Sequence, residues 1–178
     1  GDHRDLHRVD RRQPSDVYKR QLLCSMPLFA FNGGIGEYVR EYFGIIWHIS
    51  MFFFINKLAT PKWGKTAGTF WIVLDILSGI LYINNFYSIL GDASLGIAVQ
   101  NGLSLCLTIR LAAHCFEGIW LISSAFTTSN KVIKVCGVLA GIFIAGYSII
   151  SPFAPSWVLM LNVPFMIIWF FMIVIGKY

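Results

Sequence analysis

At 178 residues with a formal net charge of +5, the chain is 56% hydrophobic and 13% charged, about half the charge of an average soluble domain. Fifteen Phe and six Trp against nine acidic residues exclude a surface that stays dispersed in water. The positive charge excludes nothing by itself, but six of the fourteen basic residues sit with four of the nine acids in residues 1–21. No cationic stripe interleaved with aromatics is left to read nucleic acid.

Residues 1–21, GDHRDLHRVDRRQPSDVYKRQ, lack apolar periodicity, a signal-peptide core and metal-ligand spacing. The stretch SDVYKRQ resembles a translated library-adapter read-through. The segment is therefore read as a non-native tail, with a disordered arm or a basic arm on anionic lipid as alternatives. Residues 22–178 read as one multi-span transmembrane domain.

From Tyr42 onward the apolar residues run in blocks near twenty, the number a helix needs to cross a hydrocarbon layer of about 30 Å. The first predicted span runs from Tyr42 to Asn56, extending back toward Glu37. Lys57, Pro61, Lys62 and Lys65 close it, and Pro61 holds Thr60 extended. The second covers Gly68 to Leu90 and ends at Gly91-Asp92. The third, Leu95 to Phe126, carries Arg110, His114 and Glu117 and is long enough to tilt. Ser129 or Asn130 caps the fourth, Val132 to Ile150. After Pro152 and Pro155, the fifth runs from Trp157 to Ile175. The fold class is thus an all-α integral membrane protein, a five-span helical bundle.

Lysines set an orientation. Lys57, Lys62, Lys65, Lys131, Lys134 and Lys177 fall on one side of five spans, and Glu37, Arg40, Glu41 and Asp92 on the other. The positive-inside rule puts the C-terminus in the cytoplasm, in a bacterial inner membrane. The basic tail would then lie outside, against the rule. A truncated six-span protein, with Leu22 to Gly34 the exit of a first helix whose start is lost, removes the conflict; a complete five-span protein is the alternative.

Ionisable residues inside spans must face protein, a partner or water. Arg110, His114 and Glu117 are spaced i, i+4, i+7 on one stripe of helix three. Helix two offers Asp75 and Tyr82 on one face with Asn85 nearby, and helix one sets Glu37, Glu41 and His48 along one side. Counting about 1.5 Å per residue from the cytoplasmic ends gives two layers. His48, Asp75, Glu117 and His114 form the lower, and Arg110, Tyr82, Asn85 and Tyr147 the upper. Arg110 is expected to pair with Asp75 or Glu117, either as a tie between helices or as an anchor for a carboxylate or phosphate ligand.

Helix four carries Gly137, Gly141 and Ala145, a small-xxx-small stripe for close helix packing within the chain or between subunits. In helix five, Pro164 leaves a carbonyl near residue 160 without its helical donor, and Asn162 is placed to compensate. Trp63, Trp71 and Trp157 read as interfacial anchors. Cys24, Cys106, Cys115 and Cys136 form no CxxC and read as packing residues. There is no HExxH, GxSxG or glycine-rich phosphate loop, and no metal or cofactor motif.

Three function classes follow. The favoured one is a small transporter, channel or sensor using an intramembrane polar site. The others are a structural subunit packed through the Gly137 stripe, and a lipid-modifying membrane enzyme with His114 as base. Membrane lipids, and a second copy or another membrane subunit, are the implied partners.

Overall fold

The computed structural model describes residues 35–91 and 96–176. The tail, the Leu22 to Gly34 segment, Asp92 and Lys177 lie outside them, as do the side chains of Glu37 and Asn85. The described chain is all α: α1 (Ile35–Lys57), α2 (Lys62–Gly91), α3 (Gly96–Ala125), α4 (Lys131–Ile150), a 3₁₀ segment (Ser156–Asn162) and α5 (Val163–Val174). Each helix packs on the next in chain order, and α4 also packs on the 3₁₀ segment.

Four stretches are long and apolar enough to cross a bilayer: Lys62–Asn84, Leu105–Ala125, Lys131–Ile150 and Trp157–Val174. α1 is as long as the first of them, at 23 residues, but carries Arg40, Glu41 and His48. Glu41 is buried and Arg40 and His48 are half-buried, whereas Phe43, Ile46, Ile49 and Phe53 are exposed. The same inversion holds in the other helices, where Val73, Leu107, Ile142 and Phe171 are more than half exposed while Asp75 and Glu117 are buried. An apolar exterior around ionisable groups is the pattern hydrocarbon demands, so the chain is a multi-span helical bundle of the membrane.

The helix ends differ from the sequence reading at two places. α2 begins at Lys62 rather than Gly68, directly after Pro61, so Lys62 and Lys65 belong to its first turns and not to a loop. Lys65 turns back instead, donating from Nζ to the Asn56 carbonyl at 3.1 Å, one of the acceptors left over at the end of α1. The fifth span is also not one helix. Its first seven residues are 3₁₀, and the Val163 N–H reaches the Met160 carbonyl that Pro164 cannot serve. Asn162 makes no side-chain capping bond. The 3₁₀ rise lengthens the short segment to about 32 Å, enough to cross hydrocarbon that an α-helix of the same length would barely span.

Thr60, in the α1–α2 turn, hydrogen-bonds Ser124 at the end of α3 through paired hydroxyls 3.1 Å apart. The two lysine-bearing turns therefore lie side by side. Across the bundle, Trp71, Trp120 and Trp169 pack in sequence with ring centroids 5.2 and 5.5 Å apart, joined by Phe54 from α1. All four are essentially inaccessible. Trp71 is thus a core residue and not an interfacial anchor; Trp63 and Trp157 are more than half exposed, as anchors must be.

Asn130 caps α4, its side-chain oxygen accepting from Val132 N at 3.0 Å and Ile133 N at 3.4 Å. Asn130→Ala is expected to cost about 1 kcal/mol, and Asn130→Asp much less, read as thermal midpoints in detergent. Equal losses in both variants would rule out the cap as the cause.

Candidate functional site

α1 aligns Glu41, Gly44 and His48 on the face that meets α2, with Glu41 and His48 two turns apart. α2 presents Trp71 and Asp75 one turn apart, and α3 adds Arg110, His114 and Glu117 on one stripe. The three faces converge. Arg110 sets Nη1 and Nη2 against the two oxygens of Glu41, the first at 3.0 Å, in a fork-to-fork pair. Its Nε lies 3.7 Å from Asp75 Oδ1. Arg40 approaches the other side of Glu41 at 3.8 Å.

Asp75 is the second hub. Its Oδ2 accepts from Trp71 Nε1 at 2.7 Å and lies 3.1 Å from His48 Nε2. His48 Nδ1 in turn lies 2.7 Å from the Gly44 carbonyl. A carbonyl only accepts, so Nδ1 carries a hydrogen; the Nε2–Asp75 contact then needs a further proton, held by one of its two partners. A chain of polar contacts therefore runs Arg40–Glu41–Arg110–Asp75–His48 through three helices. Both ring nitrogens of His48 are committed, which leaves it none to act as a base.

The expected pairing of Arg110 is corrected in one respect. Asp75 is within reach, but the close partner is Glu41, read from the sequence as lying at the outer end of helix one. Glu41 is only 6% exposed. Glu117, the other expected partner, makes no hydrogen bond or ion pair among the described residues, although it is 5% exposed. His114 likewise keeps a buried Nδ1 without a partner.

A cavity of about 610 Å³ opens above this network. α1 supplies Glu41, Trp47 and His48 to its walls, α2 and α3 supply Trp71, Asp75, Arg110, His114 and Glu117, and the far side is Leu159, Asn162, Met166 and Phe170. Phe54 meets Trp169 and Phe170, so α1 and α5 touch at that level, whereas nearer Glu41 the cavity lies between α1 and the 3₁₀ segment. A second cavity, about 280 Å³, is lined by Ser78, Tyr82, Cys106, Leu107 and Arg110. Arg110 therefore borders both, and Tyr82 lines the second with it. Tyr147, on α4, lines neither cavity. The two expected layers are not separate, since Arg110 bridges Glu41 and Asp75.

Gly137, Gly141 and Ala145 are occupied inside the chain. A Cβ at Gly141 would lie 2.7 Å from the Gly118 carbonyl oxygen of α3, and one at Gly137 would meet Trp169 and Ala125. Cys106 and Cys136 are buried free thiols in the packing. Among the described residues no group of three or more His, Cys, Asp or Glu is placed to hold a metal ion. The chain matches no protein-family model, no curated protein and no solved structure.

Proposed function

We propose that the chain is a small membrane carrier whose ligand seat is the cavity between α1 and the 3₁₀–α5 segment. Glu41, Arg110, Asp75 and His48 frame the seat, and His114 and Glu117 face the ligand. One observation carries the reading: at the cavity wall the buried carboxyl of Glu117 has no hydrogen-bond or ion-pair partner among the described residues, and the half-buried His114 keeps a buried Nδ1 without one. Burying such groups is costly unless something else meets them. The core indoles of Trp120 and Trp169 also lack an acceptor, but they line neither cavity, whereas Glu117 and His114 border a space in which a ligand can serve them.

The competing classes draw less support. A scaffold was to dock through the Gly137 stripe, which α3 and Trp169 already fill. A hydrolase needs a base held by an acid, and the only close His–acid pair described, His48 with Asp75, has no nitrogen to spare. α1 also suits a moving part. It carries one partner of the Arg110–Glu41 and His48–Asp75 contacts, so a ligand that competes for Glu41 or Asp75 changes what holds α1 in place. By the lysine distribution, the side bearing Lys57, Lys62, Lys131 and Lys134 is assigned to the cytoplasm.

Ile45→Cys, in a background without Cys24, Cys106, Cys115 and Cys136, puts a thiol on the cavity wall. A carrier exposes that wall alternately, so an impermeant thiol reagent should modify it from either face of sealed vesicles. Modification from one face alone would make the site a receptor's, and from neither would remove the seat.

A further inference from the structure

We infer that the ligand is a small organic cation with an aromatic or aliphatic body, and that it exchanges with a proton at Glu117. This rests on the carrier reading and names its substrate class. The first argument is the allocation of charge around the cavity. Arg110 is spent on Glu41 and Asp75, and Asp75 already receives Trp71 and His48. Arg40 also faces Glu41, at 3.8 Å, so both cations of the lining are directed at its carboxylate; an anion would have to displace Glu41 from the guanidinium fork and leave it with the looser Arg40 contact alone. Among the described residues, the carboxyl of the lining that remains unengaged is Glu117.

The second argument is the wall around it. Trp47 and Phe170 line the cavity, and Trp71, its ring stacked on Trp120, backs Trp47 at a centroid distance of 5.8 Å. Aromatic faces hold alkylammonium groups through the ring quadrupole, most strongly where water is excluded. About 610 Å³ is the size of a seat for a small organic molecule rather than for a bare ion.

The third argument concerns the empty state. A buried carboxyl without donors holds its proton or faces a cation, because an isolated carboxylate in a low dielectric is the most costly alternative. When a cation arrives, the O–H bond of Glu117 breaks, the proton leaves to water, and the carboxylate pairs with the ligand. The charge of the seat is unchanged. The groups that bear on this step are Glu41, His48 and Arg40 from α1, Asp75 from α2, and Arg110 and His114 from α3. α4, the 3₁₀ segment and α5 contribute no titratable side chain to the lining.

The test uses the purified full chain, with binding read by tryptophan fluorescence and proton release read in weakly buffered solution. The probes share one apolar body: benzyltrimethylammonium, 2-phenylethanol and phenylacetate. The quaternary ammonium has no proton of its own to give. It should bind at least tenfold tighter than the other two and release one proton per cation bound. Its apparent affinity should fall as pH falls, approaching tenfold per pH unit where Glu117 is protonated. Glu117→Gln should abolish proton release and the cation preference while keeping 2-phenylethanol binding; the proton count on the unmodified protein stands without the variant. Phenylacetate binding tightest, or cation binding without proton release, would overturn this inference and leave the carrier reading intact. Binding of none of the three, with Ile45→Cys unreactive from both faces, would remove both.

Discussion

Gly118→Leu is expected to abolish a monodisperse folded protein, and Gly118→Ala to cost roughly 1–3 kcal/mol. A Cβ on Gly118 would lie 2.5 Å from the Gly141 carbonyl oxygen and 2.6 Å from the Ala145 Cβ. The contact is mutual, since a Cβ on Gly141 would lie 2.7 Å from the Gly118 oxygen. The obstacles include backbone, which has no rotamer to move into, so the two helices must separate along their length. Gly146, on the same α4, has nothing within 4 Å of its would-be Cβ. Gly146→Ala should therefore be neutral or gain up to about 1 kcal/mol from helix propensity. Thermal midpoints in one detergent compare the two alanine variants directly; equal midpoints would show that α3 and α4 do not meet at Gly118. The contact matters for the site because Gly118 follows Glu117. Pressing α3 against α4 at that residue fixes the rotation at which Glu117 and, two turns earlier, Arg110 turn toward the cavity.

The hydrocarbon requirement made the spans legible. A run of about twenty apolar residues has few other uses, and helices three and four begin and end within one residue of where the hydropathy places them. The site was legible in part. Glu41 shares a side of helix one with His48 in the sequence, but a charge near a span's end reads as lying outside the hydrocarbon. Yet Glu41 lies sixteen residues before Lys57, and Arg110 lies sixteen before Phe126, which puts both about 24 Å from their ends and at one level. The count for Asp75 failed for another reason. Helix two starts at Lys62, not Gly68, because Pro61 sets its first turn while lysine, threonine and glycine continue it below the apolar run. The six added residues raise Asp75 by about 9 Å, toward the level at which Arg110 can reach it. Trp71 reads as an interfacial anchor because tryptophan is common at interfaces; the four-residue spacing to Asp75 is the signal that its N–H has an interior acceptor. The 3₁₀ start of the fifth span left no such signal beyond Pro164, since the choice between i+3 and i+4 bonds is made by packing.

Arg110→Gln is expected to destabilise the bundle by roughly 3 kcal/mol, and the origin of that cost decides which second change repairs it. Polar pairs inside membrane proteins contribute on average only about 0.6 kcal/mol as attraction. The larger effect comes from what the substitution leaves behind: Glu41, 6% exposed, loses the donors to both its oxygens and keeps only the longer Arg40 contact at 3.8 Å. Asp75 is left better served, because Trp71 Nε1 and His48 Nε2 remain within 3.1 Å. Glu117 is not served by Arg110 in the first place. Three double variants therefore separate. Arg110→Gln with Glu41→Gln should recover most of the lost stability, since an amide pair replaces the ion pair and no buried charge is stranded. Arg110→Gln with Asp75→Asn should recover less, because the Asn side chain must still answer two donors with a weaker acceptor. Arg110→Gln with Glu117→Gln should recover none. Arg110→Lys keeps the charge but loses the fork and should fall between the single glutamine variant and the parent. The measurement is the thermal midpoint of each purified variant in the same detergent. Rescue by Glu117→Gln equal to rescue by Glu41→Gln would mean that the arginine's stabilising partner lies on its own helix, and the network through α1 would not be what holds the site.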